Sequence, residues 1–147
     1  MTDLLVDTSV LITWFHRDGE SGVAEARTLR RAHVAGEISA HVLDLALYEV
    51  GNVLSRALRW AAHDVAGQLD DLVELCGPPL ALTQDWLHDA AALAAEHRLS
   101  FYDASWAAAA RGLRVPLVSS DRALVTAGLA EPAASVVARL RLRTACR

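Results

Sequence analysis

The most informative absence from the 147-residue sequence is lysine, because all fourteen basic residues are arginine. Without lysine the chain can form neither a P-loop phosphate site nor a Schiff base, since both need that side chain. Receiver-like and dehalogenase-like sites with an essential lysine are excluded for the same reason. Several phosphate-handling chemistries are therefore ruled out before any motif is considered.

Cysteine, proline and glycine are also scarce, with two, four and eight residues respectively. Cys76 and Cys146 are too far apart in the sequence to indicate a metal-binding pair, and two cysteines make no disulfide framework. No apolar run approaches the roughly 20 residues that a membrane span needs, and the start lacks the basic region of a signal peptide. Together with 53% hydrophobic residues, these features predict one compact domain over residues 1–147, in a soluble cytoplasmic protein.

The charge balance is mildly acidic, with eighteen acidic residues and a formal net charge of −4. This balance argues against a protein that binds nucleic acid through a broadly basic surface. The conclusion changes if four acids serve as metal ligands, because fourteen acids then remain to balance the fourteen arginines.

Short apolar runs alternate with longer amphipathic segments, which predicts an α/β fold with a mostly parallel sheet. The predicted strands are Leu4–Val6, Ile38–Ala40, Leu80–Leu82, Val115–Val118 and an edge strand over Ser135–Arg139. The predicted helices are Val10–Phe15, Glu20–Ala35, Leu43–Trp60, His63–Cys76, Asp85–His97, Tyr102–Arg111 and Arg122–Ala127, with a polar turn over His16–Gly22.

Two of the predicted strands are followed by an aspartate. Asp7 comes directly after the first strand, and Asp121 follows Val115–Val118 and two serines. Each aspartate could simply cap the next helix, because aspartate is favoured at that position. The carboxyl ends of parallel strands open on one edge of a sheet, however, and ligands bind there in open α/β folds. We therefore expect both carboxylates at that edge.

Two further acids lie on predicted helices. Glu49 borders the apolar stripe of its helix, and a lone carboxylate is costly to bury unless it has a partner or a metal. The alternative is a glutamate that keeps its carboxylate in water at the edge of the stripe. Asp103 lies three residues after Ser100, a spacing that fits a capping box as well as a site residue.

Together, Asp7, Glu49, Asp103 and Asp121, with the hydroxyls of Ser9 and Ser119, would form an oxygen-rich site. Carboxylates about 4 Å apart repel each other in a partly buried site, and a hard divalent cation removes that repulsion. Mg²⁺ suits such a site best and Mn²⁺ is chemically close, whereas no histidine or cysteine pattern resembles a zinc site. A site of this kind hydrolyses phosphodiesters with a metal-activated water.

The segments around the four acids resemble PIN-domain ribonucleases. The similarity is carried by Leu4–Leu11, by Glu49 on its helix, by Tyr102-Asp103-Ala104 and by Leu117–Leu124, and it extends from about Leu4 to Leu129. Length and motif order further resemble the single-domain toxins of VapBC-type toxin–antitoxin pairs. The resemblance implies a three-layer α/β/α sandwich whose four acids bind Mg²⁺ or Mn²⁺ and cleave RNA endonucleolytically.

The resemblance also implies supporting residues and partners. Ser9 would help to hold the water shell of the metal, and Ser119 occupies a position that is often threonine in the family. Family toxins are usually homodimers, and an antitoxin inhibits them by laying its C-terminal segment over the site. A structured element of tRNA or rRNA is the substrate that the family implies.

Arginine side chains are the available phosphate contacts, since the guanidinium group pairs with phosphate oxygens. Arg122 is the best candidate because it is adjacent to Asp121, and ordinary surface solvation is the alternative for it. The basic tail, residues 139–147, is a second region that could contact RNA. Trp14, Trp60 and Trp86 are interpreted either as core residues or as contacts with a second copy or an antitoxin.

Two other functions compete with that of a nuclease toxin. One is a catalytically idle PIN-like module that binds protein or RNA, and the complete set of four acids argues against it. The other is a small phosphatase or receiver-like domain in which Asp7 is phosphorylated. The absence of lysine, and Ser9 where a dehalogenase-type site would have a second aspartate, disfavour that reading.

Overall fold

The computed structural model describes residues 1–16 and 22–144, and it has an α/β fold. Its sheet contains three parallel strands in the order β2-β1-β3: β1 (Thr2–Val6), β2 (Ile38–His41) and β3 (Leu117–Val118). The helices are α1 (Thr8–Phe15), α2 (Val23–Val34), α3 (Leu45–Asn52), α4 (Ala62–Cys76), α5 (Gln84–His97), α6 (Phe101–Leu113), α7 (Arg122–Thr126) and α8 (Ala133–Arg139). A π-helical segment, Val53–Ala57, continues α3. The predicted fold class is confirmed.

Strand β1 occupies the centre of the sheet and positions the site. Successive side chains of a strand point to opposite faces, and Leu4, Leu5 and Val6 are all fully buried. Both faces of the sheet are therefore covered, as expected of a short parallel sheet. The backbone N–H of Asp7 donates to the carbonyl of Val118 at 3.1 Å, so the carboxyl ends of β1 and β3 lie side by side.

The predicted edge strand over Ser135–Arg139 is wrong, because these residues belong to α8. Pro132 caps this helix in an extended conformation, and Ala133, Val136 and Val137 are buried at the spacing of one helix face. The strand-like pairing at this edge lies earlier, where Glu131 forms a parallel bridge with Val118.

Other predicted boundaries also shift. Over Leu80–Leu82 only Leu80 pairs, in an isolated bridge with Leu43, so no strand forms there. The helix predicted over Leu43–Trp60 begins at Leu45 and changes to the π-helical segment after Asn52. Segments of this kind are frequent at functional sites, and Val53 lines the cavity described below.

Two predictions fall partly outside the described residues. The polar turn over His16–Gly22 and the beginning of the helix predicted from Glu20 lie largely in residues 17–21, and the tail ends beyond residue 144. Within the described part, the Arg31 guanidinium donates to the carbonyl of Arg143 at 2.7 Å, and Arg139 makes a two-point ion pair with Glu131. Arg139 and Arg143 are therefore bonded to the rest of the fold, and Leu140 and Leu142 pack against the core.

The tryptophans divide between the core and its boundary. Trp14 is 1% exposed and belongs to the core, whereas Trp60 and Trp86 are half-buried against it. The ring of Trp86 lies against the backbone of Gly112, where an added Cβ would be 2.2 Å from the indole nitrogen. The close approach of α5 and α6 therefore requires glycine at this position.

No helix among the described residues is long and apolar enough to span a membrane.

Candidate metal centre

All four predicted acids line one cavity of about 290 Å³ at the carboxyl edge of the sheet. They come from four separate segments: the end of β1, helix α3, the first turn of α6 and the turn after β3. The remaining residues that line the cavity are Thr8, Ser9, Ile12, Val53 and Trp106. The fold thus brings together carboxylates that lie more than 100 residues apart in the sequence.

Asp7 is the most deeply buried of the four acids, at 4% exposure. It caps α1, and its Oδ1 accepts hydrogen bonds from the backbone N–H of Ser9 at 3.0 Å and from the Ser9 hydroxyl. Burial raises the pKa of Asp7 to about 6, against the opposing effect of hydrogen bonds from Ser119 and Ser9. The Asp7 carboxylate therefore both caps α1 and lines the cavity.

Asp121 repeats this arrangement at the end of β3. Its Oδ1 accepts from the backbone N–H groups of Ala123 at 2.9 Å and Leu124 at 3.2 Å, and so caps α7. The Ser119 hydroxyl accepts from the backbone N–H of Asp121 at 2.9 Å. Ser119 is fully buried and does not line the cavity, so its contacts stabilise the turn that carries Asp121.

Ser9 connects the two strand ends. Its hydroxyl donates to Asp7 and accepts from the backbone N–H of Ser120 at 2.9 Å, and it lies 3.5 Å from the Ser119 hydroxyl. Because both bonds are made within the protein, Ser9 fixes the distance between the loops that follow β1 and β3. It also lines the cavity, consistent with the supporting position predicted for it.

Glu49 is held by two side chains that sequence reasoning missed. Its Oε1 accepts from the indole N–H of Trp106 at 3.0 Å and from the Thr8 hydroxyl at 3.2 Å. Trp106 lies one turn after Asp103 on α6, and Thr8 directly follows Asp7, so both donors are near neighbours of other acids in the chain. That proximity was the available signal, although it does not reveal which acid they contact.

Asp103 lies in the first turn of α6 and is half-buried. Ser100 caps the helix through a 3.1 Å bond from the backbone N–H of Asp103, whereas the reciprocal bond of a capping box is absent among the described residues. Burial raises the pKa of Asp103, and the negative charge of Asp121 raises it further. A side-chain hydrogen bond from Ser100 opposes this rise in pKa, and the Asp103 carboxylate lies close enough to Asp121 to feel its charge.

The donor set fits a hard divalent cation. It consists of carboxylate and hydroxyl oxygens, and no basic side chain lines the cavity within the described ranges. Burial raises the pKa of both Asp7 and Asp103, and the charge of Asp121 raises that of Asp103 further, so the charged carboxylates lack a compensating cation in the protein itself. Across residues 1–16 and 22–144, no three histidine, cysteine, aspartate or glutamate side chains converge into a ready-made metal centre. Carboxylate and hydroxyl oxygens are the ligands that Mg²⁺ and Mn²⁺ prefer, and these ions need only a few carboxylates because water fills their remaining positions.

Arg122 does not line the acidic cavity. It is exposed at the beginning of α7 and lines a separate surface depression with His97 and Thr126. Arg139, in the basic tail, is paired with Glu131. Neither guanidinium group therefore offsets the charge of the four acids.

Comparisons with known proteins identify the family of this fold. The model of the PIN domain family matches residues 4–128. The crystal structure of PAE2754 from Pyrobaculum aerophilum is similar, with a TM-score of 0.64, 26% identity, and coverage of 95% of this chain and 97% of that one. A toxin–antitoxin complex from Klebsiella pneumoniae shares the fold, with a TM-score of 0.65, 19% identity, and coverage of 88% and 97%. No curated protein sequence matches significantly. With the family model covering most of the chain and all four cavity acids, the protein belongs to the PIN domain family.

Proposed function

We propose that this chain is a Mg²⁺- or Mn²⁺-dependent endoribonuclease that acts as the toxin of a type II toxin–antitoxin system. The observation that carries the proposal is the meeting of four acids from four separate segments at one cavity. Membership of the PIN domain family supports hydrolysis of nucleic acid, and the oxygen-only donor set supports a hard cation.

In this proposal Asp7, Glu49, Asp103 and Asp121 hold the cation. Once bound, the cation supplies an activated water and stabilises the oxygen that leaves the phosphodiester. Ser9 holds the Asp7 carboxylate in place and ties it to the loop that carries Asp121. Because the unneutralised acids would repel a phosphate, the cation is needed for substrate binding as well as for chemistry.

RNA is the proposed substrate, with a structured tRNA or rRNA element as its target. Proteins that recognise RNA by sequence usually select unpaired bases in a shaped element. Arg122 is the proposed phosphate contact outside the cavity, because its guanidinium is exposed one residue after Asp121.

The proposed partners are a cognate antitoxin and a second copy of the chain. The fold shared with a chain of a toxin–antitoxin complex supports the antitoxin. The homodimer follows from the resemblance to small PIN-domain toxins.

The direct test is cleavage of total bacterial RNA by the purified protein with Mg²⁺, with Mn²⁺ and with EDTA. The variants are Asp7→Asn and Asp103→Asn, and Asp89→Asn on the exposed face of α5 is the matched control. We expect metal-dependent cutting that both site variants lose and the control retains. Equal cutting by wild type and both site variants would remove Asp7 and Asp103 from the mechanism and contradict the proposal. If wild type binds the metal and a defined RNA but cuts nothing, the idle-module alternative is favoured instead.

The toxin role has its own test. Induced expression of wild type in a bacterial host should arrest growth, and Asp7→Asn should not, at equal protein levels. Growth arrest by both proteins would separate toxicity from the acidic site and would contradict this part of the proposal.

A further inference from the structure

Two donors meet on one oxygen of Glu49. Oε1 accepts from Trp106 Nε1 at 3.0 Å and from Thr8 Oγ1 at 3.2 Å, whereas Oε2 has no hydrogen-bond partner among the described residues. Trp106 is 1% exposed and Thr8 is 8% exposed. The two oxygens of this carboxylate are therefore inequivalent: one is held by the protein and the other remains available to the cavity.

The nature of the donors makes this contact firm. An indole N–H can only donate, so Trp106 cannot reverse its role, and its large ring is fixed by core packing. Thr8 is the first residue of α1, and its β-branched side chain has restricted rotation. A flexible glutamate held at one oxygen by two rigid side chains loses most of its freedom to move away from the cavity.

Trp106 also links two of the acids. It lies three residues after Asp103, and residues at this spacing share one face of a helix. The face of α6 that presents the Asp103 carboxylate to the cavity therefore also holds Glu49 in position. A displacement of α6 would move both acids together.

We propose that Trp106, assisted by Thr8, is a positioning residue that holds Glu49 by Oε1 and leaves Oε2 as the oxygen that serves the cation. This inference rests on the proposed function, because it assigns Glu49 to the same metal site. The competing explanation is that Trp106 only fills the core and that its hydrogen bond to Glu49 has no effect on the cavity.

The hydrogen bond is tested without metal or RNA, by following the indole N–H resonances in ¹H–¹⁵N spectra of the labelled protein. Trp106→Phe identifies the resonance of Trp106. Glu49→Gln should then shift that resonance strongly, because the acceptor loses its charge, and should leave the resonance of Trp86 in place. An unchanged Trp106 resonance in Glu49→Gln would overturn the inference.

The positioning role is tested by Mn²⁺ affinity, measured by calorimetry in the absence of RNA. Trp106→Phe keeps an aromatic ring but removes the donor, and Thr8→Val keeps the shape of the side chain but removes the hydroxyl. We expect Trp106→Phe to lower the affinity about tenfold and Thr8→Val to lower it less, since partners of metal ligands typically contribute at this level. Trp86→Phe, beside Gly112, is the matched control and should bind like wild type.

The outcomes separate this inference from the proposed function. Wild-type affinity in folded Trp106→Phe and Thr8→Val would overturn the positioning role while leaving the metal site intact. Failure of wild type to bind any divalent cation would overturn the metal site, and with it the role given to Oε2. Should Trp106→Phe not fold, the Mn²⁺ affinity of Thr8→Val decides the matter, because Thr8 donates to the same Oε1.

Discussion

Burial of Asp7 should make the contribution of this residue to the stability of the metal-free protein fall as pH rises. Burial disfavours the charged form and raises the pKa of Asp7 from its ordinary value of 3.8 to about 6 in the folded state. Between these two values the folded state holds a proton that the unfolded state has released, so rising pH favours unfolding. One pKa unit corresponds to about 1.4 kcal/mol, and the shift of about two units therefore costs about 3 kcal/mol above pH 6.

Replacing Asp7 by asparagine removes this cost and keeps a side-chain oxygen at the same position. The difference in unfolding free energy between Asp7→Asn and wild type should therefore increase by about 3 kcal/mol from pH 3.5 to pH 7. Using the change with pH cancels any constant difference between an asparagine and a protonated aspartate. In EDTA, Asp7→Asn should thus gain stability relative to wild type as the pH rises to 7.

Urea unfolding, followed by tryptophan fluorescence in EDTA at several pH values, measures this difference. Asp89→Asn, at an exposed position, is the control and should follow wild type at every pH. Saturating Mg²⁺ should reduce the advantage of Asp7→Asn, because a ligand at 100 times its Kd stabilises the folded wild type by about 2.7 kcal/mol. A difference that is flat across pH 4 to 7 in EDTA would refute the argument that Asp7 is buried without a compensating charge.

Three further predictions address the supports of the site and its substrate. Ser9→Ala should lower the free energy of unfolding by about 1–2 kcal/mol in urea unfolding, because Asp7 loses a donor and the Ser120 N–H loses its acceptor; unchanged stability would show that the strand ends are held by other contacts. Gly112→Ala should cost about 1–3 kcal/mol in the same assay, since the new Cβ would collide with the Trp86 ring, and a neutral effect would mean that α5 moves freely. Arg122→Ala in an inactive background should weaken RNA binding and reduce the slope of log affinity against log salt by about one; an unchanged slope would remove Arg122 from the phosphate contacts.

Much of the fold was predictable because its signals are local. The apolar run of β1 and the aspartate after it are adjacent in the sequence, and so are the strand and turn that carry Asp121. From the sequence alone, a helix-capping role and a cavity-lining role are alternatives for Asp7 and for Asp121. In the structure each aspartate uses one oxygen as a cap while lining the cavity, so the two roles are compatible.

The prediction of an edge strand over Ser135–Arg139 is wrong for a local reason. Val136 and Val137 favour β-structure when considered alone, since β-branched residues fit a pleated surface. Pro132 and the buried positions of Ala133, Val136 and Val137 instead specify a short helix that packs on the core. The helical spacing of the buried residues in Ala133–Arg139 predicts this segment better than the β-propensity of Val136 and Val137 does.

The contacts of Glu49 were beyond prediction from one sequence. Thr8 and Trp106 lie 41 and 57 residues from it, and a hydrogen bond between such distant side chains leaves no periodic pattern. The sequence shows that Glu49 borders an apolar stripe and therefore needs a partner. Only the packing of α1, α3 and α6 around one cavity shows which side chains supply it.

The central claim is that four acids form one divalent-cation site, and Mn²⁺ binding by calorimetry tests it most directly. The comparison needs wild type, Asp89→Asn as the exposed control, and one conservative variant of each acid: Asp7→Asn, Glu49→Gln, Asp103→Asn and Asp121→Asn. The account predicts one saturable site in wild type and in the control, and a weaker affinity in each of the four variants. Absence of binding in wild type, or wild-type affinity in all four variants, would contradict it.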